Sequence, residues 1–140
     1  MMYLALMIAL TGGLWDAFTG KIPNWLTLGS IFLGLIASLI LGDLANCIAG
    51  LLIGIVIYLP FFVLGYMGGG DVKLMGAIGC FAGIEGIIYT AFFASIWGGL
   101  LALIALYKRK RHVRYGMAIG LGFLTLKVLL WLNWQLPSHY

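Results

Sequence analysis

The sequence predicts an all-α, polytopic integral membrane protein of about six transmembrane helices with a short fourth helix, since each crossing takes roughly 20 apolar residues. Three observations carry this expectation. Hydrophobic residues make up 64% of the 140-residue chain, charged residues 9%, and mean hydropathy is +1.12. A chain of this size cannot hide so much apolar surface in one soluble core. The apolar stretches are joined by short polar connections with no room for a soluble domain, so residues 1–140 read as a single membrane-embedded domain. Finally, the charges alternate between those connections in the way that membrane topology demands.

In chain order, the first apolar segment covers residues 1–15 and stops at Asp16. It lacks the basic start of a secretory signal peptide and reads as a retained helix. The polar stretch DAFTGKIPN follows, and Pro23 fits the opening turn of a second helix over residues 24–41. Ile22, preceding a proline, is biased towards extended backbone, so the turn should end there. The connection GDLAN leads into a third helix over residues 44–64, in which Pro60 predicts a kink or local break. Residues 72–107 are too many for one crossing and divide at Gly83 into a short fourth helix and a full-length fifth. The charged run KRKRHVR, residues 108–114, precedes a last helix over residues 115–134, where Trp131 and Trp134 suit a membrane interface. Cys47 and Cys80 lie far apart within apolar segments and read as buried free thiols, with no CxxC zinc pattern.

The odd-numbered connections hold Lys21, Lys73 and the cluster Lys108, Arg109, Lys110, Arg111 and Arg114, whereas the even-numbered ones hold only Asp43 and Glu85. Positive residues mark the cytoplasmic side of a cell membrane, so both termini should face outwards and Asp16 and Asp71 should lie towards the cytoplasm. Lys127, inside the last helix, is the exception and reads as a lysine snorkelling outwards. The basic run reads as a topology anchor on anionic lipid, and no nucleic-acid partner is expected.

Against this apolar background, Gly68, Gly69, Gly70 and Asp71 place three residues without side chains before a carboxylate. An acid in or beside the bilayer is expensive and reads as functional, while the glycines let the backbone bend and approach another chain closely. Counted from the outer face, about 14 or 15 residues precede Asp71 and Asp16 in their helices, or roughly 21–23 Å of a hydrocarbon layer about 30 Å thick. Both acids should therefore share one depth, where irregular backbone requires protein cover or a wet cavity. Two acids in such a pocket have the physics of an aspartic protease dyad, in which one carboxylate draws a proton from water and the other donates to a carbonyl. The bland alternatives are an interfacial acid at Asp16 and a simple helix cap at Asp71. Neither explains the shared depth. His112 and His139 stand apart from the acids and form no ligand pattern with them, so no metal and no other cofactor is expected.

The motif WDAFTGKIPNWLT, followed later by GGGDVKLMGAIG, resembles the prepilin peptidases, a family of intramembrane aspartic proteases of the GxGD type. By match, the resemblance implies Asp16 and Asp71 as the catalytic pair and Gly68 and Gly70 as the motif glycines. Lys21, Pro23, Asn24 and Lys73 become flanking residues that position the motif or the substrate. The later YGMAIGLG is similar to the family's glycine-containing segment before its last helix, so the likeness covers nearly the whole chain. What it implies is removal of the short basic leader from type IV pilin-like (Flp/Tad-type) precursors at the cytoplasmic membrane boundary. The expected partners are such a precursor and the lipid bilayer, and a homo-oligomer is compatible with the sequence. Large bacterial members add an N-terminal region with paired CxxC motifs and N-methylate the new terminus. Nothing in this sequence corresponds to that region, so peptidase activity without N-methyltransferase activity is expected. Two other classes compete: a small proton-coupled carrier, since paired intramembrane acids and broken helices also mark transport pathways, and a non-catalytic assembly subunit of a secretion or pilus machine.

Overall fold

The computed structural model describes residues 1–107 and 115–135. Among the described residues the chain forms five α-helices and no strand: α1 (Met2–Thr19), α2 (Asn24–Leu41), α3 (Leu44–Val63), α4 (Gly69–Tyr107) and α5 (Tyr115–Gln135). All five are long and apolar enough to cross a membrane. Large apolar side chains such as Phe18, Phe32, Ile40 and Leu103 point outwards, as a lipid-facing surface requires. The expected basic anchor at residues 108–114 and the side chain of Trp134 lie outside the described residues.

The helix ends follow local chemistry. α1 does not stop at Asp16 as expected: it continues to Thr19, where Gly20 takes the left-handed conformation at φ 69° and its N–H donates to Asp16 O at 2.8 Å. A charge ends an apolar run, but a helix ends where a residue can adopt the closing geometry. Pro23, extended at φ −67° and ψ 136°, sets the start of α2. Gly42 at φ 74° closes that helix. Pro60 lies inside α3, which ends three residues later at Val63.

The residues expected to make a short fourth helix form the first arm of α4, which Gly83 divides from the second. Within α4, Gly83 is non-helical at φ 71° and ψ −172°, a conformation essentially confined to glycine. Asn46 closes the break, its Oδ1 accepting the Ile84 N–H at 3.1 Å and its Nδ2 donating to Asp43 Oδ2 at 3.3 Å. The first arm packs antiparallel to α3, with Gly83 beside Asn46, Gly79 against Gly50 and Met75 against Gly54. Beyond Gly83, Ala94 meets Gly122 and Gly98 meets Tyr115, while Glu85 and Leu130 border one groove, so the second arm runs antiparallel to α5. α5 also runs antiparallel to α1: Lys127 Nζ sits 3.8 Å from the centre of the Tyr3 ring, and Gly120 rests on Ala9. Lys127 therefore reaches the end of the bundle opposite Asp16. Small residues at these seams let helix backbones touch where lipid supplies no hydrophobic drive for association.

The contact between α3 and the first arm also corrects the reading of the cysteines as free thiols. Cys47 and Cys80 are joined in a disulfide, with Cα atoms 3.9 Å apart. Sequence separation hid the pairing, because the contact of Gly50, one turn after Cys47, with Gly79, next to Cys80, draws the two helices together.

Candidate active site

Asp16 and Asp71 come from different helices and line one cleft of about 220 Å³ together with Gly20, Lys21, Ile22 and the glycines at 68, 69 and 70. Both carboxylates are buried, at 6% and 7% exposure. Asp16 lies one turn before the end of α1 and is backed by α5: a Cβ at Gly116 would stand only 2.8 Å from Asp16 Cβ. The first turn of the last described helix is thus shaped around this acid.

Asp71 sits in the first turn of α4. Its Oδ2 accepts the Gly68 N–H at 3.1 Å, and its own N–H donates to Gly68 O at 3.1 Å. This is the acidic half of a capping box, in which a side chain in the first turn reaches back to the amide that opens the helix. Capping uses one oxygen. The other, Oδ1, is buried without a hydrogen-bond partner among the described residues, an arrangement that calls for an explanation beyond capping.

The motif glycines differ in what they do. A Cβ at Gly70 would lie 3.1 Å from Ile22 Cβ, so glycine there lets the segment after α1 lie against α4. A Cβ at Gly68 would meet only Asp71 Oδ2, at an ordinary 3.5 Å. Between the two acids, the connection at residues 20–23 is held from both sides. Trp15 and Trp25 stack edge to face across it with ring centres 6.2 Å apart. Thr19 Oγ1 donates to Lys21 O at 2.9 Å, and Lys73 Nζ donates to Asn24 Oδ1 at 3.0 Å.

The candidate catalytic and positioning residues read from the sequence fall in or beside this one cleft. Asp16, Asp71, Gly68, Gly70 and Lys21 line it, Pro23 opens the helix behind its rim, and Asn24 and Lys73 tie that rim to α4. Ile22 and Gly116, which touch Gly70 and Asp16, were not singled out. Ile22 had a local signal as the residue before Pro23, whereas Gly116 was visible only as one glycine in a glycine-containing segment.

No solved structure matches this chain significantly. The chain is 32% identical over 136 residues to the prepilin leader peptidase/N-methyltransferase of Neisseria gonorrhoeae, an alignment covering 86% of this chain and 47% of that protein. It therefore spans about half the length of this relative. The sequence profile of the type IV leader peptidase family matches residues 2–103, a span that includes both aspartates and the glycine run. With that match over most of its length, the chain belongs to the type IV leader peptidase family.

Proposed function

We propose that this chain is an intramembrane aspartic endopeptidase that removes the short basic leader from type IV pilin-like precursors, of the Flp/Tad kind, at the cytoplasmic face of the membrane. The observation that carries the reading is the meeting of Asp16 and Asp71, from separate helices, in one cleft beside a glycine turn. One carboxylate takes a proton from water as the oxygen attacks the scissile carbonyl carbon. The other, in its acid form, gives its proton to the carbonyl oxygen. Collapse of the tetrahedral adduct breaks the C–N bond as the proton held by the first carboxylate passes to the departing nitrogen and one hydroxyl of the adduct returns its proton to the second carboxylate. Lys21 and the Lys73–Asn24 pair frame the rim and position the substrate backbone. No metal enters this scheme, and cleavage should continue in the presence of a chelator.

The family match and the name of the gonococcal relative support the substrate class. Hydrolysis alone is proposed for this chain. In the membrane, the two arms of α4 are taken to cross separately, which makes six crossings with both termini outside. The antiparallel contacts on either side of Gly83 and the side on which the lysines and arginines fall support this arrangement.

The test is co-expression with a Flp-type prepilin, following leader removal by a shift in precursor size. The wild type should cut, and Asp16→Asn and Asp71→Asn should not. Cleavage by both variants would sink the dyad, and transfer of a methyl group from S-adenosylmethionine would overturn the restriction to hydrolysis.

A further inference from the structure

A second cavity, of about 230 Å³, lies between α3, the second arm of α4 and α5, and the proposed chemistry does not use it. Its walls include Tyr58, Met67, Ser95, Gly98, Gly99 and Tyr115. Two of these are chain neighbours of residues packed on the acids. Met67 precedes Gly68, whose N–H is bonded to Asp71, and Tyr115 precedes Gly116, which lies against Asp16. The cavity wall is thus continuous along the chain with the two glycines that meet the carboxylates.

Its chemistry contrasts with that of the carboxylate cleft. Ser95 Oγ on the wall is turned back onto its own helix, donating to Ala91 O at 2.8 Å. The rest of the wall is largely aromatic ring, thioether and the flat backbone of two glycines. A dry cavity of about 150 Å³ already admits benzene, so this one has room for an aromatic or large aliphatic side chain. Gly99 has nothing within 4 Å of where a Cβ would stand, and a Cβ at Gly98 would make ordinary contacts at 3.5 Å with Tyr115 and 3.8 Å with Ala118. Glycine at these positions is not demanded by helix packing, and its effect is to leave the cavity empty.

We propose that this cavity is the subsite for the apolar side chain that immediately follows the cleaved bond. The inference rests on the peptidase reading. In such a precursor the leader is polar and the segment after the cut is apolar. The cleft lined by Lys21 and the carboxylates suits the first, and the cavity lined by Tyr58, Met67 and the glycines suits the second.

The test compares two precursors, carrying phenylalanine or alanine directly after the scissile bond, by kcat/KM in detergent. Wild type should prefer phenylalanine by about tenfold or more, the scale on which apolar pockets discriminate size. Gly98→Leu and Gly99→Leu, which fill the cavity, should lower that ratio at least about tenfold, whereas Phe32→Leu on the lipid-facing side of α2 should leave it alone. An unchanged ratio in both glycine variants overturns the subsite while leaving the peptidase reading intact. If the wild type cuts neither precursor, the peptidase reading falls and takes the subsite with it. Should both glycine variants be inactive, Asp71→Asn with a precursor bearing a benzophenone side chain at the same position decides the matter. Photocrosslinks to Tyr58, Met67 or Tyr115 support the assignment, and crosslinks only elsewhere overturn it.

Discussion

The first arm of α4 begins and ends in a glycine turn, and at each end a polar side chain accepts a backbone amide. At the far end Asn46 Oδ1 takes the Ile84 N–H at 3.1 Å, and at the near end Asp71 Oδ2 takes the Gly68 N–H at 3.1 Å. There the similarity stops. Asn46 uses its other group on Asp43 and fills the space beside Gly83, where a Cβ would come within 2.5 Å of Asn46 Nδ2. Asp71 leaves Oδ1 buried beside a cleft that holds a second acid. A motif of glycines and a polar residue at a helix end therefore does not by itself mark chemistry. The mark is what remains unsatisfied once the helix has been capped.

The sharpest way to break this comparison is to damage each end in turn. Asp71→Asn keeps the shape and an acceptor for the Gly68 N–H, so the protein should fold with an apparent unfolding temperature in detergent close to that of the wild type. Its cleavage rate should fall by at least about 10²-fold, the lower end of what general acid–base catalysis contributes. Gly83→Ala should behave in the opposite sense. It forces a side chain into a conformation essentially restricted to glycine, at a cost of order 1–3 kcal/mol, and against Asn46 as well. Thermal unfolding should be clearly lowered, with residual activity in proportion to the folded fraction. Loss of stability in Asp71→Asn with retained cleavage would reduce that end to a cap.

The two ends were not equally legible in the sequence. Asp71 stood out because a carboxylate in an apolar chain is costly, and Asp16 because the charge pattern put it at the same depth. Gly83 was legible as a break because residues 72–107 exceed one crossing, but Asn46 was not, because its partner is 38 positions away and it looks like any residue in a connection. The same holds for Cys47 and Cys80, whose union depends on the Gly50–Gly79 contact. Periodicity and charge report depth and side. Which helix faces which is decided by where small residues let backbones meet, and no local signal carries that. The division expected at Gly83 coincides with the non-helical residue that separates the two arms of α4.

A finer test stays within the Asp71 end. Gly70 makes room for Ile22, whereas Gly68 has only ordinary contacts. Gly70→Ala should therefore push the connection at residues 20–23 away from α4 and slow cleavage by roughly tenfold, a loss of about 1.4 kcal/mol in transition-state stabilisation. Gly68→Ala should slow it by less than about threefold on the same scale. Equal losses in the two variants would mean that backbone freedom, and not the contact with Ile22, is what the glycines supply.

The smallest effect should come from the tether between the cleft rim and α4. Lys73 Nζ donates to Asn24 Oδ1 at 3.0 Å in an exposed setting. Such a hydrogen bond contributes about 1 kcal/mol net, or roughly fivefold in rate if all of it serves to hold the rim. Lys73→Met removes both the donor and the charge, while Lys73→Gln keeps a donor without the charge. If Lys73 works as a tether, the glutamine variant should recover most of the rate lost in the methionine variant, and Asn24→Ala should add nothing to Lys73→Met in the double variant. If the two single variants are equally slow and Asn24→Ala is silent, Lys73 acts by its charge on the nearby carboxylates. The Asp71 end would then differ from the Asn46 end in its electrostatics as well as in its open valence.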